Sequence, residues 1–480
     1  MKKCMIFFLL LCMAPVSQAQ DVMRLISEVN DRRQTSHPEP DNAFWHNAAY
    51  HTGNMAAYEV TGEERYRAYS ERWADHNLWQ GAKSENKSQW EYRYGETDEQ
   101  ALFGDGQTCL RTCIGAFYPG KIWKDNNGVH INAHGGGILY HEGKYYWFGE
   151  HKGERSNSAY VGVTCYSSDN LYNWAYEGVA LPVEEDEHSD IVAGCIIERP
   201  KVIYNAKTGK FVMYFHLELK DKGYSAARTG VAVADKITGP YRYLKSARPN
   251  AGRYPADMTE AQTKATATPD DFKEWWTPEW YKAVGDGMFV RRDFAGGQMS
   301  RDMTLFVDDD DKAYHIYASE ENLTLHIAEL SDDYLNYTGK YIRIAPAGHN
   351  EAPAIFKKNG KYFMITSGCT GWDPNAARLF TAGNIRGPWT EHPNPCRGED
   401  AGLTFHSQST YILPVAGKKD AFIFMADRWT PDHPIDGRYV WLPVCFENGL
   451  PVLRWYDRWD LSAFDEHPNG ADHISPKTTQ

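Results

Sequence analysis

Five polar residues occupy corresponding positions in a repeated sequence pattern, each a short distance before a lysine-containing hairpin. They are His134, Glu198, Asp302, Glu351 and Gln408. Three of them precede the hairpin lysine by ten residues, and the other two by twelve and eleven. Carboxyl groups held close together repel one another, which raises the pKa of at least one and makes it a proton donor near neutral pH. Hydrolysis of a glycosidic bond requires such a donor and a second group that handles water.

Basic residues beside these acids offer a competing interpretation. Arg199, Lys201 and Arg301 adjoin the acidic positions and could neutralise them in an ion-pair network without any catalytic role. The recurrence of a polar residue at the same point of successive repeats favours the catalytic interpretation.

The repeat itself predicts the elements that carry these residues. Hairpins rich in aromatic and β-branched residues recur at 143–148, 209–214, 311–316, 360–365 and, more weakly, 418–424. Five repeats of a four-stranded unit predict an all-β fold, a five-bladed β-propeller. Because the innermost strands of a propeller begin on one face around a central channel, the five polar residues should converge there. An insertion over 248–297, with Trp275, Trp276 and Trp280, should form either a loop near the ligand or a packing flap.

The chain divides into four regions by composition. Residues 1–19 have a basic start, a short apolar core and a small-residue cleavage site, which predicts a signal peptide and a secreted or periplasmic protein. Leucines before Cys12 disfavour a lipid anchor. Residues 20–112 form a helical region with a break at 61–63, residues 113–470 form the propeller, and residues 471–480 form a polar tail.

Charge and residue spacing exclude several classes of protein. The chain has a net charge of -13 and therefore lacks the basic surface of a nucleic-acid binder. No segment after the predicted signal peptide is apolar enough to span a membrane. The seven cysteines after residue 19 lack zinc-site spacing and favour buried free thiols, with one or two disulfides left open. No metal site or cofactor is predicted, although a structural cation in the channel stays open, as does the oligomeric state. His216, His326 and His349 are isolated histidines of the kind that are usually structural.

The chain resembles glycoside hydrolase family 43, and most closely its exo-β-1,3-galactanase branch. The matching strings lie, in order, at 132–137, 145–150, 198–205, 300–303, 308–310, 351–356, 370–372, 407–410 and 427–429. The resemblance implies an inverting hydrolase in which Glu351 is the general acid and Asp302 orients it. Most of the family has an aspartate base in the first blade, where this chain has Asn132 and His134. As in the galactanase branch, the role of activating or positioning the attacking water is then assigned to Glu198 and Gln408.

The same resemblance implies an oligosaccharide or polysaccharide substrate and a set of residues that bind it. The implied substrate-binding residues are Asn132, His134, Glu150, Arg199, Trp372, Asp427, Arg428 and Trp429.

The helical region resembles the opening of the unsaturated uronyl hydrolase (α/α)-barrels. The likeness rests on Trp45, the Tyr58 and Gly62 region and Trp73, and covers some 80 residues. So short a piece cannot close a barrel, so we expect a helical appendage without activity of its own.

The leading hypothesis is therefore the exo-acting release of galactose from β-1,3-galactan. An α-L-arabinofuranosidase or β-xylosidase of the same fold is the alternative within this enzyme class. A non-catalytic sugar-binding propeller is supported by the missing first-blade aspartate and opposed by Asp302 and Glu351. A bifunctional enzyme with an active uronyl hydrolase half is disfavoured by the short helical region.

Overall fold

A computed structural model describes residue 24 and residues 26–39, 45–76 and 115–465. The chain falls into two compact units, which divide after Gly115. The predicted signal peptide, the polar tail, Cys109 and Cys113 lie outside the described residues. In the described part, none of the helices has the length and apolar character needed to cross a membrane.

The first unit is helical. Residues 26–36 are helical, followed by α1 (Trp45–Thr61) and α2 (Glu64–His76). The break predicted at 61–63 is confirmed, since Gly62 takes a left-handed conformation with φ 69° between the two helices. His51 packs flat against Trp73, with ring centroids 4.2 Å apart, and its Nδ1 lies 3.0 Å from Ser70 Oγ. An aromatic and polar interface therefore joins α1 to α2.

The first four sheets of the second unit are antiparallel and follow one another along the sequence. The first sheet contains β1 (His134–His141), β2 (Lys144–Glu150), β3 (Gly162–Ser168) and β4 (Ala175–Pro182). The second contains β5 (Ile196–Asn205), β6 (Lys210–Glu218), β7 (Arg228–Ala234) and β8 (Arg242–Ala247). The third contains β9 (Met303–Val307), β10 (Ala313–Ser319), β11 (Thr324–Leu330) and β12 (Tyr337–Ile344). The fourth contains β13 (Glu351–Lys358), β14 (Lys361–Ser367), β15 (Arg378–Ala382) and β16 (Thr390–His392).

Two three-stranded sheets complete the unit. One contains β18 (Gln408–Pro414), β19 (Phe422–Arg428) and β20 (Arg438–Pro443). The other contains β17 (Cys396–Arg397), β21 (Cys445–Glu447) and β22 (Leu450–Arg454), in the order β17-β22-β21.

The prediction of a five-bladed propeller is therefore wrong: counted by its sheets, the propeller has six blades. The sixth sheet has no recognisable repeat in the sequence because its strands are only two, three and five residues long. Its β17–β22 pair is parallel, and its antiparallel hairpin, β21–β22, lacks the lysine that marks the hairpins of the other sheets.

The inner strands of the five larger sheets form a closed ring. Strand β1 contacts β5, β5 contacts β9, β9 contacts β13, β13 contacts β18, and β18 contacts β1. Apolar clusters fill the spaces between neighbouring sheets, for example Phe148, Met213 and Phe215 between the first and second. An antiparallel bridge between Phe117 and Trp459 joins the two ends of the unit.

The predicted insertion connects β8 to β9 and carries α3 (Glu260–Thr263), α4 (Pro278–Gly285) and α5 (Met288–Arg292). Because β8 runs antiparallel to β5 as the fourth strand of its sheet, it ends at the face where the inner strands begin. Trp280 is fully buried in a cluster with Phe289 and Leu323 of the β10–β11 turn. The insertion is thus packed firmly onto the third sheet.

Candidate active site

Three of the inner strands, β1, β5 and β13, share a local distortion near their start. The register shifts just after His134, Glu198 and Glu351, so each of these strands opens with a β-bulge. The next residue, Gly135, Arg199 or Ala352, has a φ between 52° and 59°. A bulge bends its strand and redirects the adjacent side chains, and it is repeated at the point where each strand reaches the channel.

A pocket of about 230 Å³ lies at this end of the ring. This volume is below the usual range for ligand pockets, about 300–1,000 Å³, and suits one sugar unit better than a chain. Its lining residues are Glu150, Lys152, Glu198, Arg199, His216, Tyr224, Arg301, Asp302, Asn322, Glu351, Gly371, Trp372, Gln408 and Trp429. Eight of the twelve residues predicted for the site therefore share one pocket.

Glu351 and Asp302 lie on one side of the pocket. Burial, followed by the negative charge of Asp302, raises the pKa of Glu351 to about 8. Asn322 donates a hydrogen bond of 2.6 Å to Glu351 Oε1 and opposes this rise. Glu351 therefore holds its proton at neutral pH, as a general acid must.

Glu198 lies in a hydrogen-bond network that favours its ionised form, whereas the surroundings of Glu351 favour the protonated form. It is 6% exposed, and its two carboxylate oxygens accept hydrogen bonds from Tyr224 Oη (2.7 Å) and His216 Nδ1 (3.1 Å). The other nitrogen of His216 lies 2.9 Å from Glu218. Burial disfavours the charged form of Glu198, but the His216 hydrogen bond and the charge of Lys152 lower its pKa to about 2. Glu198 is therefore ionised at the pH at which Glu351 is protonated.

His216 carries a positive charge between these two glutamates. Burial alone would lower its pKa, but the hydrogen bonds to Glu198 and Glu218 outweigh burial and raise it to about 9. The ring thus neutralises two buried carboxylates and fixes the position of Glu198.

Arg199 connects three inner strands across the floor of the pocket. Its Nη2 lies 2.9 Å from Asp302 and donates a 2.5 Å hydrogen bond to Gln408 Oε1, while Nη1 donates to the carbonyl of Ser409. The Gln408 carbonyl also accepts a hydrogen bond from Trp429 Nε1 (2.9 Å), and its amide donates to Ser367. Both ends of the Gln408 side chain are therefore held by the protein.

Glu150 and Lys152 form the first-sheet wall of the pocket. Lys152 Nζ lies 2.5 Å from Glu150 Oε2 and 3.9 Å from Glu198, and both lysine and Glu150 are almost completely buried. Trp372, which is 38% exposed, lies at the mouth near Trp429. The pocket therefore combines a charged floor with an aromatic rim, a combination that suits the hydroxyl groups and the apolar face of a sugar.

Glu198, His216 and Asp302 have ligand atoms within 4.8 Å of one another, a spacing that a metal ion would accept. These atoms are already paired with groups of the protein, because both His216 nitrogens contact glutamates and Asp302 pairs with Arg199. The donor set is therefore neutralised by protein cations and does not fit a metal ion.

Four predicted substrate-binding residues do not line this pocket, although one of them, Asp427, lines a small recess beside it together with Trp372 and Trp429. Asn132 forms two hydrogen bonds with the backbone of Lys152, and His134 is fully buried against Tyr439. Asp427 accepts a hydrogen bond from Gly135 N (2.7 Å), and Arg428 donates to the carbonyl of Phe405. In the structure these contacts support the residues that line the pocket.

Six lining residues were not predicted for the site. They are Lys152, His216, Tyr224, Arg301, Asn322 and Gly371. His216 is the direct cross-strand partner of Glu198 in the β5–β6 ladder, as Glu150 is of His134. Pairing each strand start with the end of the following strand would have found it.

Comparisons with known proteins give matches in both parts of the chain. The family model described as Glycosyl hydrolases family 43 matches residues 256–440, and the Glycosyl Hydrolase Family 88 model matches residues 19–108. The second match agrees with the uronyl hydrolase-like character of the helical region. A β-D-galactofuranosidase of Aspergillus niger is 28% identical over 155 residues, 32% of this chain and 44% of the relative. The chain thus matches less than half the length of that curated relative.

Solved structures are more similar. A GH43 β-1,3-galactosidase with galactodeoxynojirimycin is 63% identical with a TM-score of 0.71, covering 72% of this chain and 100% of that chain. The exo-β-1,3-galactanase of Phanerochaete chrysosporium, with β-1,3-galactotriose, is 32% identical with a TM-score of 0.59, covering 72% and 68%. The exo-β-1,3-galactanase of Clostridium thermocellum is 35% identical with a TM-score of 0.60, covering 72% and 66%. On this evidence, the chain belongs to glycoside hydrolase family 43.

Proposed function

We propose that the protein is an inverting glycoside hydrolase that releases galactose from β-1,3-galactan in exo fashion. The observation that carries the proposal is the placement of three carboxyl groups, Glu351, Asp302 and Glu198, around one pocket the size of a sugar unit. The choice of galactan is supported by the relatives of known structure, which are named as a β-1,3-galactosidase and exo-β-1,3-galactanases.

In this mechanism Glu351 donates its proton to the glycosidic oxygen while the bond from that oxygen to the anomeric carbon breaks. A water molecule attacks the anomeric carbon from the opposite side and loses a proton to a base. Glu351 ends the reaction ionised and the base ends it protonated, so one proton then returns to Glu351 through solvent. Asp302 holds the pKa of Glu351 high before the reaction, and Arg199 balances the charge of Asp302.

Of the two candidates for the water side, the contacts favour Glu198 as the base. The Gln408 carbonyl oxygen already accepts hydrogen bonds from Arg199 and Trp429, which use its two lone pairs. Glu198 accepts one hydrogen bond at each carboxylate oxygen, so each oxygen has a further lone pair for a proton, and the residue lines the pocket. Gln408 then orients water or sugar while Glu198 accepts the proton.

The decisive experiment compares Glu351→Gln with the wild-type protein on β-1,3-galactan, xylan and arabinan oligosaccharides. We expect galactose as the only released sugar and a loss of kcat by about 10²- to 10⁴-fold in the variant, the usual contribution of a general acid. An aryl β-galactoside with an acidic leaving group should lose less, because its departure needs little protonation. Release of arabinose or xylose would support the alternative enzyme, and no release by the wild type would support a binding module.

We also propose that residues 1–19 direct export and are then removed. The support is the basic, apolar and small-residue order of this segment. Amino-terminal sequencing of the mature protein should begin at Gln20, and an intact Met1 would contradict the proposal.

A further inference from the structure

We infer that Trp276 is a platform for the part of the galactan chain that lies outside the pocket. This inference rests on the proposed function and adds a second binding site to it. The pocket holds about one sugar unit, so the rest of an exo-cleaved chain must cross the protein surface on the acid side, where Glu351 protonates the leaving oxygen. The structure places an aromatic surface on that side.

Trp276 is exposed although it belongs to a firmly packed segment. Its side chain is 56% exposed, whereas Trp280, four residues later, is fully buried. The Trp276 ring is held by Trp280 at 4.8 Å and by His349 at 5.5 Å, centroid to centroid. More than half of this large ring is thus open to solvent, as a platform for the apolar face of a sugar requires.

The backbone at Trp276 is in an unfavourable conformation. Its φ of 71° lies in the left-handed region, which is rare for a bulky residue. Such strain persists only where the surrounding structure imposes it, and it concentrates at functional sites. Trp276 lies at the start of α4, whose N-cap is the next residue, Thr277.

A continuous rim leads from the acid to this ring. Asn322 contacts Glu351, and the next residue, Leu323, accepts a hydrogen bond from the backbone of His349. The His349 ring lies beside Trp276, with the two ring planes tilted by 31°. Since His349 precedes Glu351 by only two residues, the distance from the acid to the platform is on the order of a few sugar units.

The insertion that carries Trp276 is also fixed to this rim. Arg292 of α5 pairs with Glu321 at 2.8 Å, and Arg343 donates to the carbonyls of Val284 and Gly285 at the end of α4. Glu321 is adjacent to Asn322 in the β10–β11 turn. The platform and the acid side of the pocket are therefore held in one fixed arrangement.

The test compares Trp276→Asn and Trp276→Tyr with the wild type on β-1,3-galactobiose and on a β-1,3-galactan hexasaccharide. Asparagine tolerates the left-handed backbone, so this variant removes the ring without disturbing the fold. Loss of one aromatic contact should raise KM for the hexasaccharide about fivefold, with kcat and all constants for the disaccharide unchanged. Trp276→Tyr should retain most of the wild-type KM, and Tyr140→Ala, an exposed aromatic at the other end of the strands, should change neither substrate.

The outcomes separate this inference from the proposed function. If the wild type cleaves neither galactan substrate, the proposed function fails. If it cleaves both and Trp276→Asn shifts them equally or not at all, only the platform is overturned. A change in oligomeric state on size-exclusion chromatography, without a chain-length effect, would instead identify Trp276 as part of a protein interface and would also overturn the platform.

Discussion

The side chain of Asn322 donates a 2.6 Å hydrogen bond to Glu351, which joins a turn of the third sheet to the strand that opens the fourth. The bond favours the ionised form of Glu351, whereas burial and Asp302 favour the protonated form. The pKa of about 8 is therefore a balance that substitutions can shift in either direction.

Removing the amide should move this balance upward. In the wild type, kcat/KM should fall as pH rises through about 8, because the acid must be protonated. In Asn322→Ala the ionised form loses its hydrogen bond, so this alkaline limb should shift to higher pH. A profile of kcat/KM from pH 6 to 10 measures the shift, and an unchanged limb would mean that Glu351 is not the titrating group.

Removing the neighbouring charge should have the opposite effect. In Asp302→Asn the repulsion that raises the pKa of Glu351 is lost, so the alkaline limb should move below pH 8. The lower kcat/KM at neutral pH should recover partly as the pH is lowered. Asp332→Asn changes an exposed carboxylate and is the control, with a profile like that of the wild type. A limb that moves the same way in Asn322→Ala and Asp302→Asn would contradict this assignment.

His216 predicts a pH dependence of stability. Its pKa is raised to about 9 from the ordinary 6.5, so its stabilising effect is complete below pH 6.5 and is lost as pH rises through 9. The loss is on the order of 3 kcal/mol, from 1.36 kcal/mol per pKa unit. Calorimetry from pH 6 to 9.5 should show that Tm falls more steeply for the wild type than for His216→Gln.

At pH 6 the His216→Gln variant should also be the less stable protein, since Glu198 and Glu218 lose the cation between them. The control is His188→Gln, which changes an exposed histidine and should follow the wild type at every pH. Parallel Tm curves for the wild type and His216→Gln would show that His216 is neutral in the folded protein.

Gly135 should be required for the shape of the pocket. A Cβ at this position would lie 2.1 Å from Glu150 Oε1, and the φ of 59° disfavours other residues. Gly135→Ala should therefore displace Glu150 and raise KM at least tenfold. Gly143→Ala is the matched control, since Gly143 also has a positive φ but its Cβ would meet nothing within 4 Å. In both variants backbone strain should lower the free energy of unfolding by about 1 kcal/mol. Only Gly135→Ala should lose activity.

The repeat in the sequence predicted five of the six sheets of the propeller. The lysine hairpins located the five inner strands and thereby Glu351, Asp302, Glu198 and Gln408, which the structure brings to one pocket. The sixth sheet could not be found in this way, because strands of two and three residues carry no alternation of polar and apolar side chains.

The detailed geometry of the site was harder to predict from the sequence. Arg199 and Ala352 adopt left-handed conformations at their bulges, which no glycine marks in the sequence. Asn322 ends a run of three left-handed residues that begins at Glu320, held by the ion pair of Glu320 with Arg343. Such conformations are imposed by tertiary contacts, so local sequence could not predict which turn residue would reach Glu351.

The pairing of Phe117 with Trp459 has a consequence for engineering. Two backbone hydrogen bonds of 2.7 and 3.1 Å hold the beginning and the end of the β-unit side by side. A short linker could fuse these ends, and new termini could be opened at the exposed Gly143 turn on the face away from the pocket. Such a circular permutant should keep its active-site geometry. Truncation before Trp459 would instead remove the backbone bridge to Phe117 that joins the two ends of the propeller.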